Sequence, residues 1–178
     1  MQLNLVCHPA TPPSGPIFKL WANIDHAGSL GAVASTNIWF GIGAPAGRFV
    51  IPSEGEAARA ENLWESTCFE AFLRIPGADA YREWNFAPSG NWAAYDFTSH
   101  RDGRADADVA APYIRVEDNL TWFAVGATIA VPSRKTFELG LSAILEEKDG
   151  TKSYWALNHP EAGKPDFHDA ACFAAHLP

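Results

Sequence analysis

Apolar positions along this chain alternate in short runs, and Gly, Pro, Asn and Asp separate the runs. Gln2 to Val6 and Ile17 to Ala22 predict two strands on either side of a Pro-rich connector, His8 to Pro16. Asn37 to Ile42 predicts a third, closed by the Gly-Ala-Pro-Ala-Gly turn at Gly43 to Gly47. Tyr81 to Phe86 and Trp92 to Phe97 flank Pro88-Ser89-Gly90-Asn91, a hairpin signal. Phe137 to Leu145 and Lys152 to Leu157 flank Asp149-Gly150, a dipeptide that tolerates positive φ. Ile114 to Val116 and Trp122 to Val131 bracket Glu117-Asp118-Asn119, and Cys172 to Leu177 closes the chain with a last strand. Only SEGEAARAEN, Ser53 to Asn62, has a helix-like composition, enough for one or two turns. Roughly ten short strands with hairpin connections imply an all-β fold, an antiparallel two-sheet β-sandwich, in one domain spanning 1–178.

The densest signal is LWESTCFEAFL, Leu63 to Leu73. Its alternation puts Phe69, Ala71 and Leu73 on one face and Cys68, Glu70 and Phe72 on the other. A carboxyl among apolar neighbours on a strand face needs a hydrogen-bond partner, either a core cation or a ligand hydroxyl. Trp64 precedes that strand, where a side chain can project toward an adjacent loop. Phe167 stands alone among polar residues in the loop NHPEAGKPDFHD, Asn158 to Asp169. Most of the other Trp and Phe are expected to fill the core.

Composition narrows the function classes. With 178 residues, 47% hydrophobic, the chain can build a core without disulfide or metal staples. A formal charge of −8 with no Lys/Arg cluster argues against nucleic acid and anionic membrane partners. The three cysteines are widely spaced and form no CxxC pair, so no disulfide framework is expected. MQLNLVCHPATPPSGP has neither a basic leader nor a signal-length apolar run, and the expectation is a cytoplasmic protein.

Several chemistries can be weighed directly. GIGAPAG at Gly41 to Gly47 has Pro45 where a phosphate-binding helix would begin, so it reads as a loop. His159, Asp166, His168 and Asp169 share a loop but match no zinc spacing, and no metal site is expected. No GxSxG elbow appears. Glu70 and Glu83, on neighbouring predicted strands, could serve as a glycosidase pair, although the preferred reading of Glu83 is a solvated outward residue.

LWESTCFEAFL, YREWNFAPSGNW and FELGLSAILEEKDGTKSYWALNHP with FHDAACF together resemble DOMON-like proteins related to family 9 carbohydrate-binding modules, over Trp64 to Leu177. Family 9 modules are similar in their Trp-Glu start, a Glu six residues after that Trp, a strand ending in Asn plus a turn, and a late Trp-x-Asp. The resemblance implies a sugar held between two rings, with Trp64 as the first ring, Glu70 as hydroxyl acceptor and Phe167 as the second ring. It also implies Asn85, Lys164 and His168 near the rim. Two positions depart from the pattern. Glu83 stands where the family has a sugar-binding Arg, and Phe167 replaces Trp, losing the indole donor. Other DOMON domains hold haem through Met and His; Met1 is the only Met here, which excludes that ligation and leaves bis-His open. The sequence therefore predicts a non-catalytic binding domain for a small-molecule ligand of the sugar class, without cofactor. An acid–base enzyme on the same scaffold and a protein-interaction module are the alternatives.

Overall fold

Alternating strands bury one face of side chains, and their backbone N–H and C=O groups are satisfied only by pairing along both edges, which most strands here achieve. The protein, described here from a computed structural model, is seen over residues 1–17, 19–27, 32–51, 57–133, 135–161 and 163–177. Twelve strands form among these residues: β1 (Gln2–Cys7), β2 (Leu20–Ala27), β3 (Val33–Ile42), β4 (Cys68–Arg74), β5 (Tyr81–Phe86), β6 (Trp92–Phe97), β7 (Ala105–Asp106), β8 (Tyr113–Asp118), β9 (Phe123–Pro132), β10 (Phe137–Glu146), β11 (Lys152–Ala156) and β12 (Ala175–Leu177). Among the described residues helix is confined to three short 3-10 turns, Ala46–Arg48, Leu63–Glu65 and Ala170–Cys172. Residues 52–56 of the helix-like segment lie outside the described residues; the turn at Leu63–Glu65 follows directly after it.

Among the described residues every strand-to-strand pairing is antiparallel, and the strands follow one path, β7-β6-β5-β4-β10-β11-β1-β2-β3-β9-β8, with β12 added on β10. The expected two sheets are therefore joined. β1 makes the join by dividing its pairing: Gln2 to Leu5 run against β2, while Val6 and Cys7 run against β11. The sheet is strongly curled and its two halves face each other across the core. Phe40 of β3 meets Phe69 of β4 at 5.1 Å between ring centroids, and Phe69 meets Phe123 at 6.3 Å. The open edge at β8 carries Arg115, Glu117 and Asp118, charges that discourage further strand addition.

Phe69, Ala71 and Leu73 point into this core, as their spacing predicts. The opposite face of β4, β5, β6, β10 and β11 is also covered. There Phe72, Tyr81, Tyr95, Phe97 and Ile144 gather with Phe167 and Phe173 in a second cluster, which the segment 163–173 roofs. β4 is buried along nearly its whole length because both faces are occupied.

The tryptophans divide differently from the expectation. Trp84, Trp92 and Trp155 are core residues, whereas Trp21, Trp39, Trp64 and Trp122 are only half buried. Trp21 lies on Gly41 of the next strand, where a Cβ would stand 2.3 Å from the indole, and Trp39 lies in the same way on Gly126. A side chain at either glycine would lift the indole off the sheet.

The turn before β11 is anchored by a buried carboxylate. Glu147 is 2% exposed. It accepts hydrogen bonds from Arg48 Nε (2.6 Å), the Ser14 backbone N–H (2.9 Å) and Ser14 Oγ (2.6 Å). Arg48 also donates to the carbonyls of Gly15 and Pro16, so one ion pair clips the Pro-rich connector to the sheet. These bonds hold the Glu147 carboxyl below its ordinary range despite burial. Replacing Arg48 by Met keeps the stem but strands a buried charge, and Arg48→Met is expected to cost about 2–4 kcal/mol in urea unfolding at neutral pH. Because the folded value of Glu147 is depressed, this difference narrows as the pH falls below the ordinary 4.5.

Candidate functional site

The second cluster does not close completely. Above it lies a cavity of about 340 Å³, within the usual range for small-ligand sites, lined by Trp64, Glu70, Glu83, Tyr95, Phe97, Arg101, Arg104, Ile144, Tyr154, Pro165, Phe167 and His168. The sheet register explains how these residues meet. Glu70 of β4 pairs with Asn85 of β5, which makes Glu83 its diagonal neighbour on the same face, and Glu83 pairs in turn with Tyr95 of β6. The two carboxyls form the floor. Trp64 leans edge-on against Tyr95 (6.3 Å), and Phe167 lies against Tyr154 of β11 (6.1 Å), so aromatic walls rise on both flanks of that floor.

Each floor carboxyl has one oxygen tied down. Ser142 Oγ donates to Glu70 Oε2 at 2.7 Å, and Asn85 Nδ2 donates to Glu83 Oε1 at 2.6 Å. Asn85 itself is fully buried and receives the Cys68 thiol, so it lies beneath the floor and orients Glu83. Burial, then the neighbouring Glu83 charge, pushes Glu70 up to about 8, against weaker opposition from Ser142 and Arg101. Glu83 is raised as well, mainly by burial. With its value pushed up to about 8, the Glu70 carboxyl keeps its proton at neutral pH.

A loop network sets the rim. Asp166 accepts from Arg101 Nη2 (2.8 Å) and Nε (3.0 Å) and contacts His100 Nε2 (2.9 Å). These partners hold Asp166 below its ordinary value. Arg101 takes a left-handed backbone, φ +55°, and its N–H donates to the Tyr81 hydroxyl. Tyr81 Oη and His168 Nδ1 are hydrogen-bonded at 2.7 Å, and His168 Nε2 lies 3.7 Å from Glu83 Oε2. Burial and the Arg101 charge lower His168 to about 4, so it is neutral at physiological pH. Arg104 pairs with Glu61 and lies over the rings of Tyr95 (4.0 Å) and Trp64 (5.5 Å).

Of the residues singled out from sequence, Trp64, Glu70, Glu83, Phe167 and His168 converge on this cavity. Asn85 acts one step below it, not at the rim, and Lys164 is exposed outside the lining. Glu83 is 5% exposed and faces the cavity, so the outward reading is corrected. The loop quartet weighed for metal diverges: His159 Nε2 meets the Val6 carbonyl, and Asp169 caps the turn at Ala170–Cys172. Sequence reasoning missed Arg101, Arg104, Tyr95 and Tyr154. Tyr95 was within reach, because counting the hairpin back from its turn sets it opposite Glu83. The arginines sit in an irregular stretch, 98–104, with no periodicity to place them. A raised folded value at Glu70 means that the native state keeps a proton the unfolded chain releases. Stability should therefore fall as pH rises from 4.5 to about 8. In thermal melts across that window, Glu70→Gln should flatten the decline and melt several degrees above the wild type at its alkaline end.

The sequence matches no protein-family model and no curated protein. The fold is similar to a solved structure from Bacteroides uniformis ATCC 8492, described as a "putative carbohydrate-binding protein", with a TM-score of 0.60 and 15% identity over 97% of this chain and 83% of that one.

Proposed function

We propose that this chain is a non-catalytic binding protein for a mono- or disaccharide, held in the cavity between Trp64 and Phe167 with Glu70 and Glu83 accepting from its hydroxyls. The observation that carries this reading is the combination of aromatic flanks with buried carboxyls whose remaining oxygens face open space. A sugar ring has apolar faces of axial hydrogens and an equatorial rim of hydroxyls, which is the complement of such a site. The structurally similar Bacteroides protein, described as a "putative carbohydrate-binding protein", points the same way. The reading also takes the curled sheet as the two-sheet sandwich of DOMON-like proteins related to family 9 modules. In its support, the two halves pack ring against ring through Phe40, Phe69 and Phe123.

A hydrolytic reading draws on one observation, the coupled carboxyls with Glu70 raised to about 8, as a general acid would be. Turnover of aryl glycosides that is lost in both Glu70→Gln and Glu83→Gln would install it in place of the binding reading.

Calorimetric titration with a panel of mono- and disaccharides should give a saturable response, with Trp64→Ala weakening affinity at least tenfold, about 1.4 kcal/mol. Trp64 is half buried, so the variant should keep a melting temperature close to that of the wild type. Silence across the panel, or equal binding by Trp64→Ala, would refute the stacking site.

A further inference from the structure

The charges around the cavity do not balance locally. Both rim guanidiniums are matched, Arg101 by Asp166 and Arg104 by Glu61. The floor is not. The groups packed about Glu70 and Glu83 are Ser142 on β10, Cys68 on β4, Tyr81 and Asn85 on β5, and His168 from the closing loop, with Arg101 and Arg104 acting on them from the rim without touching either carboxyl. Among the described residues the only basic nitrogen within 4.0 Å of either carboxyl is His168 Nε2, at 3.7 Å from Glu83, and that ring is neutral. Glu70 and Glu83 are 3% and 5% exposed, and Glu70 Oε1 and Glu83 Oε2 make no hydrogen bond with any described residue. Two adjacent acids with no cation in contact, in a cavity whose two arginines are already ion-paired elsewhere, are a poor floor for an uncharged ligand, because one must stay protonated or repel the other.

We infer that the ligand carries a protonated amino group, which sits on Glu70 Oε1 and Glu83 Oε2 and supplies the missing positive charge. The inference rests on the carbohydrate reading for the rest of the ligand, which makes it an amino sugar with a free amine. An ammonium has three donors and no acceptor, so it satisfies acceptor-only carboxylates as a hydroxyl does not. The walls suit it too. Trp64, Tyr95, Phe97, Tyr154 and Phe167 present ring surfaces whose quadrupoles attract a cation, and Tyr95 with Trp64 already takes the Arg104 guanidinium. A bare divalent ion fits less well, since two carboxyls and one hydroxyl fall short of the six or more oxygens that calcium gathers.

Proton accounting gives the inference a distinctive readout. Before binding, Glu70 holds a proton at neutral pH; seating an ammonium there releases that proton to solvent, up to one per ligand. Affinity for the amine should then climb as pH rises toward 8, as long as the ligand's own amine stays charged. A neutral sugar gains nothing from the same change.

The test is calorimetry of the full chain with glucosamine, N-acetylglucosamine, glucose and choline at neutral pH, in two buffers of different protonation heat. Expected is glucosamine binding at least tenfold tighter than glucose or N-acetylglucosamine, with a buffer-dependent heat that reports proton release, and loss of both features in Glu70→Gln. Glu83→Gln is the second variant should Glu70→Gln fold poorly, and the wild-type series decides the question without either. Equal affinity for the three sugars, or preference for the acetylated one, overturns the amine while leaving the carbohydrate reading intact. Choline binding without any sugar overturns both the N–H-donating amine and the carbohydrate reading, because a quaternary ammonium has charge but no N–H to donate. No binding by any of the four overturns both.

Discussion

A carboxyl on the outer face of a central strand is the constraint around which this site is organised. Glu70 sits in β4, whose other face carries Phe69, Ala71 and Leu73 into the core. The core holds the strand in place, and the strand then holds Glu70 where water is scarce. An acid in that position must find donors, share a proton or wait for a ligand. Ser142 answers for one oxygen, and the coupled Glu83 makes the other harder to ionise. Among the described residues the cavity floor is thus left without a cation in contact, while the core beneath the strand is packed.

The roof is built from groups that are charged but matched. Asp166 gathers Arg101 and His100, and Arg101 reaches through its own backbone N–H to Tyr81, which orients His168. This chain of contacts joins two loops remote in sequence to the floor strand β5. Much of it is half exposed, and surface ion pairs contribute little to overall stability. Its role is orientation: it keeps a neutral imidazole facing Glu83 and leaves both rim arginines occupied.

The same division of labour appears in the aromatic residues. Phenylalanines fill both clusters, while four tryptophans remain partly in solvent. Trp21 and Trp39 use glycines as seats on one half of the sheet. Trp64, set at a short turn after a left-handed Asn62, stands beside the cavity instead. Residue type alone does not separate these fates, since all are indoles in short apolar runs.

Alternation made the strands legible: β5 and β6 have the bounds read from their side-chain pattern, and the turns at Gly90 and Gly150 take the positive φ their residues favour. It also identified Glu70 as an acid out of place, because a period of two is a local property of the backbone. The continuous path of the sheet was not legible, since β1 divides its pairing between two partners and nothing in Gln2 to Cys7 marks the change. Nor was the diagonal placement of Glu83 beside Glu70 on one face, which depends on register across β4 and β5, or the arrival of Arg101 and Arg104, which depends on how an irregular loop folds back. By itself the sequence determined an all-β chain with a buried carboxyl and a few unhoused rings. Only the tertiary structure decided that these meet in one cavity, because convergence is set by long-range strand pairing and loop closure, which a local pattern does not encode.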